Sequence, residues 1–183
     1  MRIFLAACAL AGLAMLASCN QGSDVAGEIA RQDKAEADTV GQNLADGQQF
    51  LATNKVRPGV LTTASGLQYE IVKKGDQGKP APGPNDTVNV MYEGALTDGK
   101  VFDSSYQRKE PVQFPVGRVI AGWTEALQLM HPGEEIRLVI PPQLGYGEDG
   151  SPPDIPPNSV LVFRVELLGY QNAAGLTVGA FPE

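Results

Sequence analysis

The chain has 183 residues, with 21 acidic against 14 basic side chains, a formal net charge of −7 and a sequence pI of about 4.7. That length holds one well-packed domain plus an appendage, and the acidic balance argues against a nucleic-acid backbone or an anionic membrane surface as the main partner. One histidine and two cysteines are too few for a zinc site of the usual Cys/His type; no metal and no cofactor are expected.

Residues 1–18 carry a single positive charge, Arg2, followed by an apolar run from Ile3 to Leu16. The run is shorter than the ~20 residues of a membrane span and reads as a secretory signal. Leu16-Ala17-Ser18-Cys19 then resembles the lipobox of bacterial lipoproteins. The resemblance implies cleavage before Cys19, a diacylglyceryl thioether on its sulfur and an acylated amino group, which together give stable anchoring. The other reading is an ordinary secretory signal with a chance cysteine. Asn20, rather than Asp, follows the cysteine, which in enterobacterial sorting favours the outer membrane. The expected location is the bacterial cell envelope, lipid-anchored through Cys19 at the outer membrane and facing the periplasm. Loss of Arg2 would leave 13 basic against 21 acidic side chains, a net of −8.

Residues 19–62 read as a lipid-anchored tether with partial helix. Ala26, Ile29, Ala30, Val40, Leu44 and Phe50-Leu51 give a modest helical pattern, which Gly27, Gly41 and Gly47 weaken. Each glycine costs up to ~1 kcal/mol against Ala in a helix interior. Pro58-Gly59 ends it. A monomer is expected rather than a dimer, although a partner-binding helix stays open.

Residues 63–170 form the predicted domain. Leu67, Tyr69 and Ile71 alternate as an edge strand, and 75–86 is a Pro/Gly loop. Asp86 to Leu96 is the best strand, with Val88, Val90 and Tyr92 on one face and Gly94 suited to a bulge. Thr97-Asp98-Gly99-Lys100 is a hairpin signal, and a short strand follows at Val112–Val116. From Val119 to Met130, the residues Ile120, Trp123, Leu127 and Met130 recur at helical spacing. A helix this short is marginal alone and needs a surface to lie on. His131-Pro132-Gly133 stops it, Glu134–Ile140 alternates again, 141–158 is a long loop, and Val160–Leu168 closes the sheet. Residues 171–183 are a carboxy-terminal tail. Pattern alone therefore predicts an α+β fold in which an antiparallel sheet wraps one short helix carrying Trp123.

Four stretches in order carry a family resemblance: Tyr92-Glu93-Gly94; Asp98 to Ser105 (Asp-Gly-Lys-Val-Phe-Asp-Ser-Ser); Val119-Ile120-Ala121-Gly122-Trp123; and Tyr146-Gly147 with Ile155-Pro156-Pro157-Asn158 and Leu161-Val162-Phe163. Together they resemble the FKBP-type peptidyl-prolyl cis–trans isomerases over roughly Leu67 to Leu168. Gly47 to Leu51, Gly59-Val60 and Thr63 to Tyr69 resemble the junction before the catalytic domain in the Mip/FkpA-like envelope branch. The resemblance implies a strongly bent antiparallel sheet, a half-barrel, around one short helix. It implies a pocket lined by Tyr92, Phe102, Val119, Ile120, Trp123, Tyr146, Ile155 and Phe163, with Asp103 at the rim. Of these, Phe102, Asp103 and Tyr146 would be catalytic, the others substrate-binding, and Arg108 the structural ion-pair partner of Asp103. Val112 departs from the family, which often has an aromatic just after Pro111. Two residues are also absent between Gly117 and Val119, and Asp154 replaces an apolar residue.

The implied activity is rotamase catalysis on proline-containing unfolded or exported polypeptides, assisting their folding. Macrolides of the tacrolimus and rapamycin kind are implied inhibitors. The alternative is an envelope chaperone that captures peptides with little isomerase activity; a scaffold for surface adhesion is a third reading. Without the resemblance, Trp123, Phe102 and Phe163 read as core, Asp103–Arg108 as a structural ion pair, and Ser104-Ser105 as serines without an obvious base.

Overall fold

A computed structural model describes residues 21–181. The expected signal sequence 1–18 and the lipidation site Cys19 lie outside the described residues. Two compact units divide between Thr39 and Val40. In the first, the described stretch belongs to helix α1 (Gln21–Lys55), where Val25 and Ile29 are exposed and Arg31 pairs with Glu28 at 3.3 Å.

The second unit, Val40–Glu183, is wider than the 63–170 read from sequence. It holds β1 (Val60–Thr62), β2 (Gln68–Lys73), β3 (Thr87–Leu96), β4 (Val101–Ser104), α2 (Ser105–Arg108), β5 (Val112–Pro115), α3 (Ala121–Leu127), β6 (Glu135–Ile140), β7 (Leu161–Gln171) and β8 (Thr177–Gly179). One-turn 3-10 helices occur at Val116–Arg118 and Pro142–Leu144.

The strands form one open, wholly antiparallel sheet in the order β1-β2-β6-β7-β3-β4, with β5 paired to β3 and β8 to β7. Strand β3 is its axis, pairing β7 from Thr87↔Gln171 to Leu96↔Leu161. Register slips at Ile71/Lys73, Asn89/Val90 and Gly94/Ala95 are bulges, which bend strands and increase twist. Helix α3 supplies Trp123, Ala126 and Leu127 to a core completed by Val90, Leu138, Ile140 and Val165, all at most 5% exposed. Gly122 permits this approach, since a Cβ there would meet Ile140 Cγ2 at 2.7 Å.

The helix is shorter than the expected Val119–Met130. Val119 is extended, and beyond Leu127 the chain tightens into three-residue closures, Leu129 N–H to Ala126 O and Met130 N–H to Leu127 O. Met130 still reaches the core at 1% exposure.

Helix α1 departs from expectation the other way, running unbroken through Gly27, Gly41 and Gly47. At Gly47 the reason is tertiary: a Cβ would stand 2.9 Å from Val160 Cγ2, so glycine lets the helix lie against that residue. Asn43 Nδ2 donates to Pro157 O at 3.2 Å and Asn54 Nδ2 to Gln68 Oε1 at 2.8 Å, fastening the same helix to loop and sheet. Packing of this kind outweighs weak intrinsic propensity. No described helix is long and apolar enough to cross a membrane.

Candidate active site

The alternation of β3 aims Tyr92 and Gly94 at the same face. Gly94 lies opposite Phe163 of β7 and Asp103 of β4, and the slip after it carries Phe102 over the glycine. A Cβ at Gly94 would come within 2.5 Å of Phe163 Cε1 and 2.7 Å of two Phe102 ring carbons. The expected bulge is therefore also a seat for two rings, a role only a residue without a side chain can fill.

Trp123 stands at the centre of an aromatic cluster. Its ring meets Tyr92 and Phe163 at 5.3 Å and Phe114 at 5.8 Å, all near-perpendicular, and Phe102 meets Phe163 at 5.6 Å. These are the separations favoured for edge-to-face contact. They leave a cavity of about 400 Å³ lined by Tyr92, Phe102, Asp103, Phe114, Arg118, Val119, Ile120, Trp123, Tyr146 and Phe163. That volume falls within the usual range for a small-ligand pocket.

Every residue expected at the pocket is among these except Ile155. Ile155 is 5% exposed, belongs to the core, and forms an isolated bridge with Ser151 in the long loop. Two lining residues were not anticipated. Phe114 follows Val112 by two positions on β5, so it shares that residue's face and furnishes an aromatic wall two residues beyond the position where the family often has one. The period-two pattern contained this signal. Arg118, on the 3-10 turn before α3, carried no comparable sign.

At the rim the Tyr92 hydroxyl donates to Asp103 Oδ2, Arg108 Nη1 donates to Asp103 Oδ1 at 2.6 Å, and Arg108 Nη2 donates to the Tyr92 oxygen at 3.1 Å. Burial alone would raise the Asp103 carboxyl; the hydrogen bonds from Tyr92 and Arg108, with the charge of Arg108, overcome it and hold its pKa below the ordinary value. The Tyr92 hydroxyl is pushed up, first by burial and then by its bond to Asp103. The arrangement keeps Asp103 ionised and Tyr92 neutral.

The two serines have structural employment. Ser105 Oγ accepts from the Tyr92 backbone N–H at 2.8 Å and donates to its carbonyl at 3.2 Å, setting the strand that carries Tyr92. Ser104 Oγ caps α2 through the Gln107 N–H and donates to Glu93. Two possible donors belong to residues that line the cavity. Among the described residues the Tyr146 hydroxyl, on a residue 40% exposed, makes no hydrogen bond. The Ile120 carbonyl accepts from Trp123 and Thr124, while its own N–H donates to no described residue.

Comparison with known proteins agrees with this geometry. The family model described as FKBP-type peptidyl-prolyl cis-trans isomerase matches residues 78–168, and the model of the domain amino-terminal to that isomerase matches residues 9–71. The chain is 50% identical over 129 residues to the peptidyl-prolyl cis-trans isomerase Mip of Coxiella burnetii, covering 70% of this chain and 55% of that protein. It is 45% identical over 150 residues to the FKBP-type 22 kDa peptidyl-prolyl cis-trans isomerase of Escherichia coli, covering 79% and 72% respectively. The crystal structure of FkpA from Escherichia coli superposes with a TM-score of 0.78 at 40% identity, over 87% of this chain and 75% of that one. The chain spans about half the length of the Mip and FkpA relatives it matches, 55% and 51%.

Proposed function

The chain belongs to the FKBP-type peptidyl-prolyl cis–trans isomerases, and from that membership we propose that it accelerates rotation about X-Pro bonds in exported or envelope polypeptides. The observation that carries the proposal is an aromatic-walled cavity of about 400 Å³ with an ionised carboxylate and two free hydrogen-bond donors at its edge.

Rotation about a peptide bond crosses ~18–20 kcal/mol because resonance is lost on twisting. For X-Pro the isomers differ by only ~0.5–1 kcal/mol, yet exchange takes tens to hundreds of seconds. No covalent intermediate is required; a catalyst must hold the twisted amide better than either planar form. The proline ring would rest on Trp123 between Phe102, Phe163 and Phe114. The planar amide is the more polar species, so a water-poor aromatic wall disfavours it relative to the twisted state. The Tyr146 hydroxyl and the Ile120 N–H would hold the flanking carbonyls. Asp103, kept ionised by Arg108, would face the rotating carbonyl carbon or fix Tyr92 in the wall. Each tenfold in rate takes about 1.4 kcal/mol, so a few such contacts suffice. Tacrolimus and rapamycin, bulky apolar ligands with carbonyl acceptors, suit the same walls and donors. Anchoring through a lipidated Cys19 would place the site at the envelope.

The test is cis–trans exchange of a short apolar-X-Pro peptide followed by NMR with the full chain added. Acceleration that drops by roughly tenfold or more in a folded Phe102→Ala variant, a loss of about 1.4 kcal/mol or more, supports an isomerase site. Peptide binding without acceleration by the folded wild type would favour the capture reading instead.

A further inference from the structure

Tyr146 sits on a loop that leans on helix α1. Most of the loop's backbone bonds are internal: Gly147 N–H to Pro142 O, Gly150 N–H to Tyr146 O and Asn158 N–H to Gly147 O, at 2.9, 3.2 and 2.9 Å. Three of its residues, Gly147, Gly150 and Asn158, have positive φ, 60°, 65° and 58°. Among the described residues, the one hydrogen bond tying 142–158 to another element is Asn43 Nδ2 to Pro157 O at 3.2 Å.

Between the loop and α1 lies a second cavity of about 400 Å³, which shares no lining residue with the aromatic one. Leu44, Gly47 and Leu51 of α1 form one wall, and Pro142, Gly147 and Asn158 are on the other. A loop backed by space rather than close packing has room to shift. Asn43, beside that space, holds the loop through its hydrogen bond to Pro157 O. Gly47 lines it, and a Cβ there would meet Val160 Cγ2 at 2.9 Å and Asn158 O at 3.8 Å. Pro157 and Asn158 connect to the catalytic side directly, because the Asn158 N–H bonds the carbonyl of Gly147, the residue after Tyr146.

We infer that Asn43 and Gly47 are positioning residues for Tyr146, acting through Pro157, Asn158 and Val160 to hold the Tyr146 hydroxyl where a substrate carbonyl arrives. This rests on the isomerase reading and adds to it that part of α1, read from sequence as tether, belongs to the catalytic machinery's support. Misplacing a contacting group by about 1 Å is enough to cost up to 10²-fold in rate.

A double-mutant cycle in the full chain, with Asn43→Ala, Tyr146→Phe and both together, tests it. Asn43→Ala is expected to lower kcat/KM on an X-Pro peptide by about fivefold when Tyr146 is present, the size of one ordinary hydrogen bond. In the Tyr146→Phe background it is expected to lower it by less than about twofold, because the group being positioned is gone. Equal losses in both backgrounds would make Asn43 a structural residue only and overturn the inference. Hydrogen exchange of residues 143–160 supplies a readout independent of catalysis: Asn43→Ala is expected to speed exchange there while leaving β3 and β7 unchanged. Unchanged loop exchange would overturn the brace even if the activity fell. A wild type with no isomerase activity would sink the functional reading, and the exchange data would still decide the brace. Gly47→Ala gives a second route. Alanine favours the helix, yet its Cβ must push stiff Val160 and so disturb the loop; a wild-type loop and rate in that variant would contradict the role assigned to Gly47.

Discussion

Asp103 accepts hydrogen bonds from Tyr92 and from Arg108 at a rim where its side chain is 41% exposed, so its carboxyl is stabilised in the charged form without being desolvated outright. Its folded pKa lies below the ordinary carboxylate value of ~3.9. For such a group the stabilisation is complete above about pH 4 and disappears as the pH falls through the lowered folded value. Solvent screening keeps the effect modest. The melting temperature of the wild type should therefore exceed that of Asp103→Asn at neutral pH, with the gap closing as the pH falls below about 4. A gap that stayed constant down to pH 2 would mean that the carboxylate's charge contributes nothing to the fold. The residues around Asp103 also show what a sequence can disclose at this scale. Strand and helix periods assign Tyr92, Trp123 and Phe163 to the inner side, whereas Phe102 and the pocket itself were legible through the family resemblance. Phe114 was equally legible by the same period but was passed over for Val112. Ile155 shows the converse: the family motif extends to it, while it is absent from the lining of the aromatic cavity.

Helix α1 and strand β8 mark the limit at the scale of elements. β3, β6 and β7 were readable because alternation over six or more residues is a strong local signal. Strand β8 was not, because Thr177–Gly179 has only three residues. It exists because Gly169 and Gly179 allow the two backbones to meet; a Cβ on Gly169 would fall 2.5 Å from Val178 O. The end of α1 likewise depends on a partner far along the chain. Asn54, 4% exposed, donates to Gln68 Oε1 at 2.8 Å and accepts on Oδ1 from Arg57 at 3.0 Å and Arg137 at 2.8 Å. Gln68 in turn donates to Leu51 O at 3.0 Å. Truncation to alanine would leave the Gln68 oxygen and an Arg137 donor without a partner, at roughly 1–3 kcal/mol for an unsatisfied buried group. Asn54→Ala is expected to destabilise the chain by about 2 kcal/mol, seen as a lower urea midpoint at unchanged slope. An unaltered midpoint would mean that water replaces the amide without loss and that this network does not fasten α1.

For the molecule as a whole, the open question is what force would hold an acidic chain at a membrane. With 21 acidic and 14 basic side chains, its average field repels an anionic leaflet. No described helix is long and apolar enough to span a bilayer. If the chain resides on a membrane as proposed, its net charge does not supply the attraction, and acyl chains on Cys19 are the source that the lipobox resemblance implies. One acyl chain binds only marginally, at about 10⁴ M⁻¹, whereas two or more anchor stably, at ~0.8 kcal/mol per buried methylene. The two origins of attachment respond oppositely to salt, because screening at about 1 M shrinks the Debye length to ~3 Å while leaving hydrophobic insertion intact. The chain expressed in a bacterium with lipoprotein processing is therefore expected in the membrane fraction, resistant to a 1 M salt wash and released by detergent. Cys19→Ser is expected to appear in the soluble fraction with unaltered isomerase activity, since Cys19 has no part in the proposed site. Release of the wild type by salt would point to a polar partner on the membrane. Retention of Cys19→Ser would mean that the apolar run Ile3–Leu16 stays attached as an uncleaved anchor, and the lipobox reading would fall.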